Sequence, residues 1–263
     1  MKKSLLSLTL LLSLSTAHAD PTFTNITSDD FEDISMDMSA NFTHNSMLGA
    51  SKMGTVFGVQ AGLALASTST KRTNDIVKRN ADADMPNLYN AGLMAAVGIP
   101  FGIAFEAILF PETELGGAKL SSTSLGLKYN LNEVIPILPV NLALRGIYST
   151  SKMSFEQTVS SVTNKIENSN TVSGLQLLFS PMLPVVEPYV GIGLLSGNNK
   201  LSVSGTGTIF DSSFSTSQSE SKNVSTTQIL AGVDVSLLLL KIGVEYSNAF
   251  GTDRYGLKLS LGF

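Results

Sequence analysis

The sequence predicts an all-β fold, a closed antiparallel transmembrane β-barrel of about ten strands, with a short amino-terminal amphipathic helix. Three observations carry this reading. From about residue 53 onward, apolar side chains recur at every second position, the period of a strand with one apolar face. Charged residues make up only 14% of the 263-residue chain, against about 25% in ordinary globular proteins. Cysteine is absent, so an exported chain must hold together without disulfides, and a large hydrogen-bonded sheet can do that.

The amino terminus reads as an export signal. Lys2 and Lys3 precede an apolar run from Leu5 to Leu14, and Ala17-His18-Ala19 forms a small-residue site. Residues 1–19 are therefore expected to be a signal peptide cleaved before Asp20. The apolar run is too short to cross a bilayer as a helix, and no later stretch reaches the roughly 18 apolar residues a helical span needs. Removing 19 residues from 263 leaves 244. Losing Lys2 and Lys3 leaves 15 basic groups against 21 acidic ones, a net charge of −6. A nucleic-acid partner is not expected, because it needs a basic surface.

Residues 20–50 form an amino-terminal periplasmic segment with a helix or plug. Ser28 reads as a helix cap with acids in the first turn, and Phe31, Ile34 and Met38 fall on one stripe. The spacing predicts a helix over roughly 28–42. It either enters the barrel, lies across its periplasmic mouth, or is a loosely held leader.

The barrel follows over 51–263. Strand one sets Phe57, Val59, Ala61, Leu63 and Leu65 against Gly58, Gln60 and Gly62, and a charged loop runs from Lys71 to Pro86. Strand two covers Tyr89–Val97 and strand three Phe101–Leu109, with a break at Gly98-Ile99-Pro100. Strand four covers Leu125–Leu131. The two-proline stretch from Asn132 to Pro139 is a turn, since proline cannot sit in a central strand. Strand five covers Val140–Tyr148, with the polar stretch 149–171 after it. Strand six covers Gly174–Phe179. Pro181, Pro184 and Pro188 mark the next turn, and strand seven is Val190–Leu194. A Ser-, Thr- and Asn-rich stretch, 196–227, leads to strand eight, Gln228–Leu237. Strand nine is Ile242–Ser247, and strand ten runs from Tyr255 to the end. Connections alternate between polar ones, three of them long, and mostly short ones rich in apolar residues or proline. That is the pattern of long outer loops and short periplasmic turns. Eight or twelve strands fit as well, because long polar stretches hide strand ends. Tyr89, Tyr129, Tyr148, Tyr189, Tyr246 and Tyr255 lie near strand ends, where aromatic girdles meet head groups.

The final residues, Tyr255-Gly256-Leu257-Lys258-Leu259-Ser260-Leu261-Gly262-Phe263, place every apolar side chain on one face and end on an aromatic. This segment resembles the closing strand of bacterial outer-membrane β-barrels. The resemblance implies a place in the outer membrane of a Gram-negative cell, in contact with its lipid. It also implies that Phe263 belongs to the assembly signal, which the barrel-assembly machinery reads on the carboxy-terminal strand.

Chemistry is sparse. Outside the leader the one histidine is His44, no cysteine exists, and no ligand cluster suggests a metal or cofactor. Outer-membrane proteases, lipases and deacylases need His with Asp or Ser at the outer rim, so no enzyme is expected. Six charges share the inward face by parity: Glu106, Lys128, Arg145, Asp234, Glu245 and Lys258. They form either a pore lining that sets selectivity or an ion-pair network that fills the lumen. Inward glycines, from Gly58 and Gly62 to Gly243 and Gly256, leave space that a helix, waters or a solute must occupy. The leading reading is a narrow, porin-like channel or small-solute transporter. The alternatives are a surface-exposed structural or adhesin-type barrel with a closed lumen, and a fatty-acid-transporter-like protein using inward Met94, Ile108 and Phe110.

Overall fold

Ten strands close on themselves in a computed structural model that describes residues 27–263 except 55, 82–83, 85, 116–117, 160–161, 205–206, 210–211 and 215–216. The expected leader and its cleavage site lie outside the described residues. The elements are α1 (Ser28–Phe42), β1 (Gly58–Ser69), α2 (Lys71–Ala81), β2 (Asn87–Ile99), β3 (Ile103–Leu115), β4 (Ala118–Asn130), β5 (Val140–Val159), β6 (Val162–Pro181), β7 (Val186–Ser204), a small hairpin β8 (Gly207–Ile209) and β9 (Ser212–Phe214), β10 (Ser217–Leu237), β11 (Leu240–Ala249) and β12 (Thr252–Gly262). Neighbours pair antiparallel in chain order. The seam closes where β1 meets β12, from Gln60 opposite Gly262 to Thr68 opposite Arg254.

The outer wall is apolar and the inner wall polar, as the alternation requires. Leu63, Leu93, Phe105, Leu125, Leu177 and Ile192 point outward, while Gln60, Glu106, Lys128, Gln176 and Gln228 are buried within. This inversion of a soluble barrel is what a lipid surround selects. The molecule is an outer-membrane β-barrel. Tyr89, Tyr255 and Tyr246 lie close in register around Ser67 and are exposed, and Tyr148 is exposed on β5, consistent with an outer girdle. Tyr189 departs from that expectation. It is 2% exposed, points into the lumen over Gly232, and donates to Glu245 at 2.8 Å.

The strands reach further than their apolar alternation. The polar stretch 149–171 is a hairpin, paired from Val140 opposite Pro181 to Val159 opposite Val162, and 196–227 holds the upper parts of β7 and β10. The reason is a phase flip. On β7, Val190, Ile192 and Leu194 face lipid, but above them Leu195 and Leu201 face inward while Ser196, Asn198 and Lys200 face out. β6 repeats this with Leu175 and Leu177 outward, then Val172 and Ile166 inward. Above the membrane, water lies outside the wall and protein inside it, so the apolar face changes sides. About 9–11 tilted residues span a bilayer. The 10 residues of β11 and 11 of β12 are just enough, whereas β5, β6, β7 and β10 have 19–21. One side of the barrel therefore rises as a tall wall. On the low side, the expected charged loop contains α2, whose Arg72 donates to Thr252 at the β11–β12 turn.

Candidate functional site: the occupied lumen

The amino-terminal segment runs the full height of the barrel interior. α1 has the predicted bounds, but Thr27 is its cap, not Ser28. The Thr27 hydroxyl accepts from the Asp30 amide at 3.1 Å and Asp30 accepts back from the Thr27 amide at 3.2 Å. Of the expected placements the segment takes the one inside the barrel, and the helix lies at the end that carries α2 and the tall wall rather than across the mouth with the short turns. Its stripe of Phe31, Ile34, Met38 and Phe42 packs with Ile76 of α2, Ile166 of β6 and Leu201 of β7. Those inward residues above the membrane thus find a partner. The polar face is clamped as well. Asp37 accepts from the Thr73 amide and hydroxyl, both at 2.9 Å, and from Thr252 at 2.8 Å. Arg79 pairs with Asp30, Arg72 with Asp33 and Asp37, and Lys222 with Glu32 at 2.6 Å. None of these partners is one of the inward cations Lys128, Arg145 and Lys258.

Below Phe42 the chain is extended and descends past the inward charges. Arg254 donates to the Thr43 carbonyl. His44 Nε2 lies 3.0 Å from Glu106 and Nδ1 lies 2.9 Å from the Ser124 hydroxyl. Ser46 donates to Glu106 at 2.6 Å and accepts from Arg145 at 2.9 Å. Lys258 donates to the Met47 carbonyl at 2.9 Å, Lys128 to those of Gly49 at 2.7 Å and Ser51 at 3.0 Å, and Asn130 to that of Ala50 at 2.7 Å. Glu187 accepts from the Ser51 amide at 2.8 Å, and Lys52 pairs with Glu133 in the turn after β4. Met47 bends the path, with a φ of 51° that a non-glycine residue seldom adopts.

All six charges picked out by parity lie on the lumen wall, and each is buried. Four of them hold the plug: Glu106, Lys128, Arg145 and Lys258. Asp234 pairs with Lys258 at 2.7 Å, and Glu245 accepts from Tyr189. Arg145 also donates to Gln176 at 2.6 Å and lies 3.5 Å from Glu106. Opposite charges and carbonyl dipoles at these distances offset desolvation that would otherwise disfavour buried ions. Gly126, Gly243 and Gly256 make room for the plug. A methyl group at Gly126 would sit 2.8 Å from His44 Nε2, and one at Gly256 would sit 2.8 Å from Asn45.

A family model described as a family of unknown function, DUF6588, matches residues 1–260. The chain belongs to this family. No curated protein matches it. Solved barrels are similar in fold. The translocator domain of the autotransporter NalP from Neisseria meningitidis is 15% identical, with 89% of this chain and 95% of that one covered and a TM-score of 0.47. Ail, the attachment invasion locus protein of Yersinia pestis, is 15% identical, with 79% and 97% covered and a TM-score of 0.34. Neisserial surface protein A is 14% identical, with 78% and 94% covered and a TM-score of 0.22.

In this DUF6588 chain several plug contacts escaped the sequence reading. Arg254 shares parity with Gly256 and Lys258, so extending strand ten by one turn of the pleat would have found it. Glu187 stood beside Pro188 in what read as a turn, with no such signal. The structure also brings Ser124, His44 and Glu106 into one row, which the sequence spacing gave no reason to expect. All three are buried, Glu106 is shared with Ser46 and Arg145, and Gly126 abuts the row. The row ties the plug to β3 and β4. Met94, and Ile108 beside it, pack against Met47 and Leu48. A concavity of about 670 Å³ lies against the lipid-facing wall, around Val97, Phe105, Leu125 and Tyr148.

Proposed function

We propose that this protein is a surface-exposed, non-enzymatic structural or binding barrel with a closed lumen, and that it is not a constitutively open channel. One observation carries the reading. Residues 43–50, in the extended segment below α1, are buried between the strands, and four of the six wall charges that would have lined a pore, Glu106, Lys128, Arg145 and Lys258, are bonded to them. The tall wall supports the surface role. Its strands exceed the spanning length by about ten residues, and its outward face carries Ser169, Asn198, Lys200, Ser221 and Asn223. That polar, mostly uncharged ladder suits contact with hydrated head groups or another cell's surface. Planar-bilayer recording tests the reading. The full chain should give no steady conductance, while a chain lacking residues 28–50 should conduct and still close as a barrel. A steady ohmic conductance from the full chain would return the reading to a channel. A second reading, a gated channel, is favoured by one feature: Asp234–Lys258 and Tyr189–Glu245 are wall-to-wall contacts that do not depend on the plug. It requires a condition under which the full chain opens.

A further inference from the structure

We infer that the barrel carries its own amino-terminal arm through the membrane and presents the start of α1, at Ser28 and Asp29, on the cell-surface side. Two sets of contacts fix the direction of the plug. At the amino end, the Ser28 hydroxyl donates to Glu220 at 2.9 Å, Glu32 pairs with Lys222, and Asp30 with Arg79. These partners lie on the upper part of β10 and on α2. At the other end, Lys52 pairs with Glu133 in the β4–β5 turn, and Gly58 backs onto the Met53 carbonyl where β1 begins. Between Phe42 and Met53 about eleven extended residues reach at most about 36–40 Å, enough to cross the membrane band once. The chain then reverses at Gly54, which has a φ of 78° and where a methyl group would collide with the Phe57 carbonyl, and β1 climbs back. The plug and β1 are thus two arms of one hairpin whose bend is at the short-turn end. Short turns face the periplasm in bacterial barrels and long extensions face out, so the free arm of the hairpin ends outside.

The direction has a consequence for assembly. α1, with a helix diameter of about 10–12 Å including side chains, stands at the outer end of a lumen that is filled once formed. The amino-terminal arm therefore enters before β1 closes against β12. The barrel then works as a one-shot exporter of its leading segment. This inference rests on the outer-membrane orientation and is independent of whether the lumen conducts.

The chain has no cysteine, so single cysteines report position cleanly. Ser28→Cys and Asp29→Cys test the plug end, both residues being exposed. Asp75→Cys on α2 marks the outer end, and Leu238→Cys in the β10–β11 turn marks the short-turn end. Intact cells are treated with a membrane-impermeant maleimide, before and after permeabilisation, and only the heat-modifiable, folded protein is scored. The expected result is that Ser28→Cys and Asp29→Cys label in intact cells to the same extent as Asp75→Cys, while Leu238→Cys labels only after permeabilisation. Labelling of Ser28→Cys and Asp29→Cys only after permeabilisation would overturn the inference. So would labelling of Leu238→Cys, but not Asp75→Cys, in intact cells, which would mean the barrel is reversed. A conducting full-length barrel whose Ser28→Cys labels from outside would sink the closed-lumen reading and leave this inference standing.

Discussion

Arg145 shows how a single buried charge ties the wall to the plug. Its side chain is fully buried, and it reaches Gln176 on the neighbouring strand, Glu106 two strands away on the other side of β4, and Ser46 of the plug. Removing it leaves Glu106 buried beside a histidine that is cationic only if protonated. Breaking a buried pair from one side costs about 3–5 kcal/mol, whereas replacing both partners by apolar groups is often near neutral. Arg145→Met should therefore lower the unfolding free energy in detergent by about that amount, and Arg145→Met with Glu106→Leu should recover most of it. Additive losses in a denaturant titration would show that the two charges are held independently. This residue was legible in the sequence, because one polar position in an alternating strand must face the lumen. Its partner Ser46 was not, since nothing in residues 43–53 announces which wall position each will meet.

Helix α1 and its clamp to α2 respond to acid. Burial pushes the Asp30 carboxyl up, but the Thr27 amide, the Arg79 guanidinium and the Thr27 hydroxyl outweigh it and hold Asp30 below the ordinary carboxylate range. A depressed carboxylate contributes stability that is present above its unfolded value, about 3.9, and is lost as pH falls through the folded value. Asp33 runs the other way. Burial raises it against the pull of Arg72, with Asp37, Asp30 and Glu32 adding repulsion, so its protonation relieves a cost as pH falls through the same region. The clamp from Asp30 should therefore weaken below about pH 4, partly offset by Asp33. Hydrogen exchange of α1 amides, referenced to β6, should show protection falling from pH 6 to pH 3. In Asp30→Asn that protection should be lower at pH 6 and fall less on acidification. An Asp30→Asn profile identical to the parent's would remove Asp30 from the clamp. The helix was readable from its apolar stripe. α2 was not, because Lys71–Ala81 offers only Ile76, Val77 and its last residue, Ala81, as apolar residues and is helical where it covers the low side of the barrel.

At the scale of the whole molecule, closure depends on β1 meeting β12. Val59 and Phe263 exchange backbone hydrogen bonds of 2.9 and 3.0 Å at the end of that seam, while the Phe263 ring is 80% exposed. Truncating the ring removes lipid-facing surface and leaves the backbone pairing intact. Phe263→Ala should then lower the folded yield in cells more than it lowers the stability of protein refolded in detergent, as a recognition role demands. The parent should fractionate with the outer membrane and migrate faster unheated than heated, because a closed sheet has no free edge at which to unzip. Equal folded yields for Phe263→Ala and the parent would remove the ring from any assembly signal.

The strand count, the inward parity of six charges and the α1 bounds follow from local sequence, because a period of two or of 3.6 is a property of consecutive residues in contact with one environment. Where the environment changes along a strand, as between Leu194 and Leu195, the period breaks and the strand disappears from view although its backbone pairing continues. Occupancy of the lumen is a different kind of fact. The glycines at 126, 243 and 256 say that space exists beside them, but what fills it is set by a segment some 70 or more residues away in sequence, through carbonyls that carry no side-chain signature. Residues 43–53 have no periodicity because each meets a different wall partner, and only the closed barrel brings those partners together around them.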